Sequence, residues 1–374
     1  MKPGPRAPDI AWKDNWEASK QRFVNWWRHE GMLIGMYGDL NTGHCVHEAV
    51  AKPMRPSSLR ECYCNAEYRA AENHYRLSCC AFPLDILPLA TTNLGPGSLA
   101  LLLGAEPDFA QDTVWYRAVL EANVDVEQLP PLRFDPENAW WRSTSEIVGR
   151  CADAARGKYL VACPDLIENL DVLASLRGAE TLLLDMLERP EWVEQKVWEI
   201  NNAWFAAYER IYELIKLADG SSSFGPFRIW GPGKVAKLQC DASALFSPSM
   251  FQHFVVPALT AQCDWLDHSL YHLDGTQALG HLDLLLAIEP LDAIEWTPQA
   301  GIEPGGNRRW HDLYRRILAA GKSVQVLDVE PQQVLPLLDA IGTKGVYLMV
   351  NCPGEREAEA LREQVGRHFG TDYP

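Results

Sequence analysis

The amino-acid sequence predicts an α/β protein that consists of a single (β/α)8 TIM barrel. About eight short apolar segments recur along the chain, as expected for strands that are buried on both faces of a parallel sheet. Amphipathic segments long enough for helices separate most of them, and this alternation is typical of barrels and of doubly wound sheets. The strand count favours the barrel, and no glycine-rich dinucleotide motif joins a strand to a helix, as many doubly wound folds would require.

Each predicted strand is a short apolar run bounded by polar or turn-forming residues. We predict strands at residues 32–36, 82–89, 159–163, 234–240, 269–272, 293–296, 323–327 and 346–350. Prolines stand near the starts of several intervening segments, where a missing amide hydrogen costs no helical hydrogen bond. We predict helices at residues 179–217, with a new start at Pro190, and at 248–267, 277–288, 310–320, 331–341 and 355–369.

The chain before the first strand, residues 1–31, is predicted to form a helical extension. Trp16, Phe23 and Trp26 recur at near-helical spacing, and Gly31 ends the run. Such an aromatic stripe is more often a packing surface than a binding cage. We therefore expect this helix to pack against the body of the protein.

Residues 32–374 are predicted to form the barrel. The segment 93–156 is the part that least resembles a barrel, because prolines such as Pro107, Pro130 and Pro136 interrupt it. We expect it to be an irregular insertion after the second strand. In that position it would form a cap over the mouth of the barrel.

The charge of the chain excludes several classes of partner. The formal net charge is −16 and the pI is about 5.1, so the protein should repel nucleic acid and anionic membranes. No apolar run approaches membrane-spanning length, and the first residues contain no apolar signal-peptide core. We expect a cytoplasmic protein with a small-molecule substrate, and the sequence leaves a homodimer open without deciding the oligomeric state. Its ten cysteines are then expected to be reduced.

Candidate functional residues stand at the predicted C-terminal ends of the strands or in the loops beyond them. These ends line the active site of a barrel, even when they are distant in sequence. We expect His272, Asp85 and Glu168 to be catalytic. Substrate contacts are expected from Asn169, Trp230, Gln239, Asp241, Glu295, Trp296, Gln325 and Asn351.

A metal site is the most specific of these expectations. His272 and Asp274 are two residues apart, so their side chains lie on the same side of one strand, and Cys352 follows the last predicted strand. An imidazole, a carboxylate and a thiolate that meet at one end of a barrel suit zinc. Each residue also has an ordinary structural role available. His272 and Cys352 can be core residues, and Asp241 can cap a helix.

Other hydrolytic chemistries have less support. The sequence contains neither a nucleophile-elbow serine nor the HExxH helix of zinc proteases. Paired carboxylates and fourteen tryptophans leave glycoside hydrolysis in a barrel open. The candidate residues alone therefore do not choose one reaction.

Several motifs together resemble the uroporphyrinogen decarboxylase superfamily. The resemblance runs from about residue 82 to residue 369. Its best segments are Asp85-Ile86-Leu87-Pro88, Leu103-Gly104-Ala105, Leu176-Arg177-Gly178, Leu187-Glu188-Arg189-Pro190-Glu191, Leu245-Phe246-Ser247-Pro248 with Phe251 and Pro257, and Tyr271-His272-Leu273-Asp274-Gly275. The last segment is similar to the His-x-Cys-Gly motif of the family.

The resemblance implies a (β/α)8 barrel with its active site at the C-terminal mouth. The methyltransferases of the superfamily hold zinc through the histidine and cysteine of His-x-Cys and through a distant cysteine near the last strand. These positions correspond to His272, Asp274 and Cys352, so Asp274 replaces a cysteine. The decarboxylases also carry an arginine-rich N-terminal motif, whereas residues 32–40 contain no arginine, so a tetrapyrrole substrate is not expected.

The leading hypothesis is therefore a metal-dependent methyltransferase. It would move a methyl group between a small methylated compound or a corrinoid protein and a thiol-type acceptor held by zinc. One alternative is a metal-free lyase or decarboxylase that uses His272 and Asp85. The other is a barrel that binds a small ligand without catalysis.

Overall fold

A six-stranded parallel sheet forms the centre of the computed structural model, which describes residues 10–120 and 124–370. Every neighbouring pair in this sheet is parallel. In spatial order its strands are β1 (Met32–Gly35), β14 (Val346–Val350), β13 (Ser323–Val329), β12 (Ala293–Thr297), β11 (His268–Asp274) and β10 (Val235–Gln239). Almost every residue of these strands is buried or half-buried, as expected of a parallel sheet that helices cover.

The remaining strands are shorter and form two-stranded pairs. β4 and β7 are parallel, whereas the pairs β2–β3, β5–β6 and β8–β9 are antiparallel. Their bounds are β2 (Leu40–Asn41), β3 (Cys80–Ala81), β4 (Leu89–Ala90), β5 (Glu106–Phe109), β6 (Val114–Arg117), β7 (Leu160–Val161), β8 (Ser222–Phe224) and β9 (Ile229–Gly231).

Helices separate most of the strands, as the sequence predicts. They are α1 (Trp16–Trp27), α2 (Leu59–Cys64), α3 (Ala66–Ser78), α4 (Leu99–Leu102), α5 (Ala139–Ala155), α6 (Asn169–Arg177), α7 (Ala179–Glu188), α8 (Pro190–Ile215), α9 (Pro248–Phe254), α10 (Val256–Trp265), α11 (Gly275–Ala278), α12 (Leu282–Leu286), α13 (His311–Ala319), α14 (Val334–Ile341) and α15 (Glu355–Phe369). Short 3-10 segments lie at Val126–Gln128, Asp241–Leu245, Leu279–His281, Arg308–Trp310 and Pro331–Gln333. Among the described residues, none of the helices is long and apolar enough to cross a membrane.

The prediction of one continuous strand at residues 82–89 is wrong. Only Leu89 of this segment lies in a strand, β4, and the residues before it are irregular. Pro83 and Pro88 cannot donate ladder hydrogen bonds, and Leu84 adopts a positive φ of 54°. The paired strands of the described residues therefore do not close into one continuous barrel.

Isolated hydrogen bonds nevertheless connect the shorter strands with the edges of the large sheet. On one side, the Asp85 amide donates to the Ile34 carbonyl of β1 at 2.8 Å. On the other side, the Cys163 amide, just after β7, donates to the Ser223 carbonyl of β8 at 2.9 Å. The Ser222 hydroxyl then donates to the Gly233 carbonyl, immediately before β10, at 2.6 Å.

The predicted cap, residues 93–156, contains more regular structure than expected. It includes the β5–β6 hairpin, and it ends in the seventeen-residue helix α5. The Asn138 side chain caps α5 by accepting the amides of Trp140 and Trp141. Because α5 packs against both α3 and α8, this part of the segment belongs to the helical layer.

The aromatic face of α1 packs against the N-terminal side of the sheet. Trp16 and Phe23 contact Trp230 edge-to-face, with ring centroids 5.3 and 6.2 Å apart. Trp27 stacks on His268, the first residue of β11, at 4.7 Å. The stripe therefore packs on the body of the protein, as predicted, and it covers the end of the sheet opposite the C-terminal strand ends.

A buried lysine holds the segment before α1 against residues 82–85. The ammonium group of Lys13 donates to the carbonyls of Phe82 and Leu84 at 3.0 and 2.8 Å. Lys13 is only 2% exposed, and burial lowers its pKa to about 7, although the nearby Asp85 carboxylate opposes this shift.

We expect Lys13 to make stability depend on pH in the alkaline range. Its pKa is lower in the folded chain than the ordinary value of 10.5, so the folded state binds fewer protons between about pH 7 and 10.5. The contribution of Lys13 to the free energy of unfolding should therefore rise with pH across this window. Urea unfolding at several pH values should show a smaller rise for Lys13→Met than for the wild type. The partly exposed Lys20→Met should leave the wild-type slope unchanged, and equal slopes for all three proteins would contradict the prediction.

Candidate functional site

A cavity of about 980 Å³ lies over the C-terminal ends of β10 and β11. Its inner wall includes Gln239, the last residue of β10, and His272, near the end of β11. Residues 52–75, from the segment before β3, supply much of the outer wall. The cavity thus lies where parallel α/β proteins place their active sites.

His272 is the most strongly organised side chain of the inner wall. Its Nδ1 lies 2.5 Å from a carboxylate oxygen of Glu295, the residue paired with it on β12. The other oxygen of Glu295 accepts the Thr297 hydroxyl at 2.7 Å. Burial opposes the charged imidazole, but the Glu295 carboxylate outweighs burial and raises the pKa of His272. Because Nδ1 is engaged by Glu295, Nε2 is the nitrogen available to a ligand.

Two aspartates lie close to His272. Ligand atoms of Asp241, His272 and Asp274 all lie within 4.8 Å of one another. His272 and Asp274 point to the same side of β11 because they are two residues apart, and Asp241 follows the end of the adjacent strand β10. Three potential metal ligands therefore converge at the ends of two neighbouring strands.

Hydrogen bonds from residues of β10 orient Asp241. The Gln239 amide nitrogen donates to Asp241 Oδ2 at 2.7 Å. The amide oxygen of Gln239 accepts a hydrogen bond from the ammonium group of Lys237, which also donates to Asp165 at 2.8 Å. Lys237 is fully buried, and although burial disfavours its charge, Asp165 and Glu168 raise its pKa. A fixed cation thus stabilises an otherwise acidic region.

Two further carboxyl groups lie behind this wall. Asp171 accepts the backbone amides of Asp241 and Ala242 at 2.7 and 2.9 Å, and so it fixes the turn that carries Asp241. Burial, reinforced by the Asp241 charge, raises the pKa of Asp171 to about 6. Glu168 accepts the backbone amide of Gln239, and burial raises its pKa well above the ordinary value.

Three of the predicted site residues line the cavity directly: Gln239, Asp241 and His272. Glu295 contacts His272 from behind, and Glu168 contacts the backbone of Gln239. Asn169 is buried next to Glu168, where its side chain donates to Gln262 at 2.9 Å. These positions form one connected region around the ends of β10, β11 and β12.

The structure places Asp85 and Trp230 away from the cavity lining. Asp85 is fully buried under α1, where it accepts the Ser19 hydroxyl and pairs with Arg22 at 2.7 Å. Trp230 packs in the aromatic cluster of α1, at the opposite end of the sheet. The expectation that Trp230 shares a pocket with His272 is therefore wrong. Trp230 lies in β9, which leads into the N-terminal start of β10, whereas His272 lies near the C-terminal end of β11.

Three residues expected to contact substrate at the ends of the later strands do not line the cavity: Trp296, Gln325 and Asn351. Trp296 faces the helical layer, where it contacts Trp310 with ring centroids 4.9 Å apart, because consecutive strand residues point to opposite sides. Gln325 lies beneath the cavity and donates to the Phe227 carbonyl at 2.8 Å. Asn351 is exposed and donates to Glu330 at 3.0 Å.

Cys352 does not join His272 and Asp274 in the ligand cluster of the described residues. It is buried after β14, and burial, together with Glu357 and Glu330, raises the pKa of its thiol to about 11. Metal ligation requires the thiolate, which this environment disfavours. Asp241 stands in the cluster instead.

Sequence reasoning missed three residues that shape the site: Lys237, Asp171 and Phe227. Lys237 offered a signal, because a lysine within the apolar run Val235–Gln239 must find a buried partner. Phe227 packs on the His272 ring with centroids 4.7 Å apart, and it follows the short strand β8, which the sequence pattern did not predict.

Comparison with solved structures identifies the fold. No family model and no curated protein sequence matches the chain. A methyltransferase from Methanosarcina mazei superposes with a TM-score of 0.61 at 10% identity, covering 94% of this chain and 99% of that one. A B12-independent methionine synthase from Shewanella sp. W3-18-1, solved with selenomethionine, has a TM-score of 0.51 at 10% identity, with 91% and 98% covered. At this identity the likeness shows the fold, which this chain shares with both proteins. It agrees with the resemblance stated from the sequence as far as the fold is concerned.

The side chains of the cluster fit a divalent cation. They offer one imidazole nitrogen and two carboxylate oxygens, a set that zinc accepts and that harder divalent ions also accept. The contact between Glu295 and His272 Nδ1 is the outer-shell partner that metal-bound histidines usually have. Two carboxylates also balance the charge of a divalent ion.

Proposed function

We propose that the protein is a metal-dependent methyltransferase whose metal ligands are Asp241, His272 and Asp274. The observation that carries the proposal is the convergence of these three side chains at the strand ends, where Asp241 and His272 line a large cavity. The likeness to a methyltransferase and to a methionine synthase over more than nine-tenths of the chain supports it independently. Zinc is the metal that we propose.

The proposed ligand set keeps two of the three residues expected from the sequence and replaces Cys352 with Asp241. A set with two carboxylates carries the same charge as one with two thiolates. Carboxylate oxygen is harder than thiolate sulfur, so the site should discriminate less strongly against metals such as manganese. This difference can be measured, because purified protein should accept several divalent ions.

The chemistry that zinc would supply is the binding of a thiol as a nucleophilic thiolate at neutral pH. The side chains of the chain would prepare the site for this task. Glu295 engages Nδ1 of the His272 imidazole and so leaves Nε2 available to the metal, and Gln239 orients the carboxylate of Asp241. Phe227 packs on the His272 ring and keeps water away from that face.

We propose that the methyl donor is a small methylated compound or a methylated corrinoid protein. The cavity volume of about 980 Å³ accommodates a small substrate together with the acceptor. The barrel expected for this superfamily also forms part of the proposal. The hydrogen bonds from Asp85 to β1 and from Cys163 to β8 support a (β/α)8 barrel whose first strands are paired only locally.

Methyl transfer can be tested directly with zinc-loaded protein. Methylcobalamin and small methylated compounds would serve as donors, and a panel of low-molecular-weight thiols as acceptors. We expect methylated thiol to appear with the wild type and to be lost with Asp274→Ala. Stoichiometric zinc without methyl transfer to any thiol would contradict the methyltransferase proposal while leaving the metal site intact.

A metal-free lyase is the second candidate, because the His272–Glu295 pair can exchange a proton without a metal. Asp85, its other expected catalytic group, pairs with Arg22 beneath α1 and does not line the cavity. His272 would then act with Glu295 alone. Turnover that survives removal of all metal by a chelator would favour this candidate over the methyltransferase.

Glu295→Gln should weaken metal binding without removing a ligand. The amide still reaches His272 but loses the negative charge that raises the basicity of the imidazole. We expect a decrease in zinc affinity of about 10- to 100-fold, measured by competition with a chromophoric chelator. Glu303→Gln is the matched control, since Glu303 is a surface carboxylate paired with Arg309 at 2.7 Å. Unchanged affinity in Glu295→Gln would contradict the role given to this residue.

A further inference from the structure

Two thiols lie in contact beside the outer wall of the cavity. The Sγ atoms of Cys45 and Cys79 are 3.0 Å apart, and the Ser78 hydroxyl lies 3.3 Å from Cys45 Sγ. Cys45 is half-buried in the loop after β2, whereas Cys79 is buried directly after α3. Both thiols are free.

Backbone hydrogen bonds hold the two segments together independently of the sulfur contact. The Thr42 amide donates to the Cys79 carbonyl, and the Val46 amide donates to the Ser78 carbonyl, each at 2.8 Å. The Thr42 hydroxyl donates to the Cys79 carbonyl as well, at 3.0 Å. The chain on both sides of Cys45 is thus fastened to the residues around Cys79. A disulfide bond requires the sulfurs to approach to about 2.05 Å, a movement of roughly 1 Å that local rotation can supply.

We propose that Cys45 and Cys79 are a site of reversible oxidation, at which a disulfide bond fastens residues 42–55, the strap, to the C-terminal end of α3. The oxidant is a peroxide. The Cys45 thiolate attacks one peroxide oxygen, which breaks the O–O bond, forms a sulfenic acid and releases water after protonation. The Cys79 sulfur then attacks the Cys45 sulfur, the S–O bond breaks, and a second water leaves with the Cys79 proton. Two thiols are oxidised by two electrons, and one peroxide is reduced to two waters.

The environment assigns different roles to the two cysteines. Cys45 is accessible enough to meet a peroxide, and hydrogen bonds from Cys79 and Ser78 lower the pKa of its thiol. Cys79 is buried, so it is protected from direct attack and acts as the resolving thiol. Cys62 and Cys64 are also half-buried, but among the described residues the sulfur–sulfur contact joins Cys45 and Cys79.

The disulfide would act on the cavity through the strap. Lys52, Pro53 and Arg55, near the end of the strap, line the cavity seven to ten residues beyond Cys45. A covalent bond at Cys45 would restrict the movement of this wall relative to α3, which lines the cavity through Arg69 and Glu72. Oxidation is therefore expected to slow amide hydrogen exchange in residues 42–50.

The test uses the full chain, treated with a small excess of hydrogen peroxide and then quenched with an alkylating agent. Peptide mapping should find one crosslink, between the peptides of Cys45 and Cys79, with a mass loss of about 2 Da. The count of titratable thiols in denaturant should fall from ten to eight and return to ten with dithiothreitol. Cys45→Ser should abolish the crosslink, and Cys62→Ser, the control, should leave its yield unchanged.

Three results would overturn the proposal. One is oxidation of Cys45 to sulfinic acid in the wild type without a crosslink. Another is a disulfide that joins other cysteines in preference to this pair. The third is a count of titratable thiols that falls by two in peroxide-treated Cys45→Ser, as it does in the wild type. Peptide mapping of the oxidised wild type detects the first two results without any variant, even if a substitution impairs folding.

Discussion

Lys237→Met should destabilise the protein by about 3–5 kcal/mol, because it leaves the buried carboxylate of Asp165 without its cation. Methionine fills a similar volume, so a cavity contributes little to the loss. Lys237 and Asp165 are 2.8 Å apart, and both side chains are almost inaccessible to solvent. The variant also removes the donor that orients the amide of Gln239. Urea unfolding followed by circular dichroism measures the loss.

A double variant separates the ion pair from packing. Lys237→Met combined with Asp165→Asn should be more stable than Lys237→Met alone, because no buried charge is left unpaired. Lys234→Met is the control, three residues earlier and just before β10, since its partly exposed ion pair with Glu209 is worth at most about 1 kcal/mol. Equal losses at both lysines would contradict the importance given to Lys237.

His272→Ala should remove most of the metal affinity, by more than about 100-fold, because it deletes a ligand rather than an outer-shell contact. Burial raises the pKa of Glu295, and the variant removes the imidazole that opposes this rise. Isothermal titration with zinc, together with metal analysis of the purified protein, measures the effect. His253→Ala is the control, since His253 is an exposed histidine paired with Glu194. A variant that retains wild-type affinity would remove His272 from the metal site.

The strands after residue 230 were predictable because they are rich in apolar residues and contain no proline. β10 to β14 lie within two residues of the predicted bounds, and the helix break at Pro190 separates α7 from α8 as expected. The first half of the chain was harder to predict. Its strands pair over only two to four residues, and prolines such as Pro83 and Pro88 interrupt the one that was predicted as continuous.

The site was predictable where local geometry decides it. The spacing of His272 and Asp274 places both side chains on one side of β11, and the structure confirms that they converge. The alternation of side chains along a strand also implies that Glu295 and Trp296 point to opposite sides of β12. On that basis only Glu295, which contacts His272, should have been predicted at the site, because Trp296 faces the helices. The third member of the cluster, Asp241 rather than Cys352, was not predictable. Its position depends on how the loops after β10 and β14 fold, and no short sequence motif determines that.

A cobalt(II) titration tests the proposed metal site most directly, because cobalt replaces zinc and its absorption reports the ligand atoms. The wild type should bind a single equivalent with visible absorption bands but without the near-ultraviolet band of a cobalt–thiolate bond. Cys352→Ala should give the same spectrum and affinity, whereas Asp274→Ala should lose the bound cobalt. A thiolate band that disappears in Cys352→Ala would contradict the ligand set of Asp241, His272 and Asp274, and the absence of binding to the wild type would contradict the metal site itself.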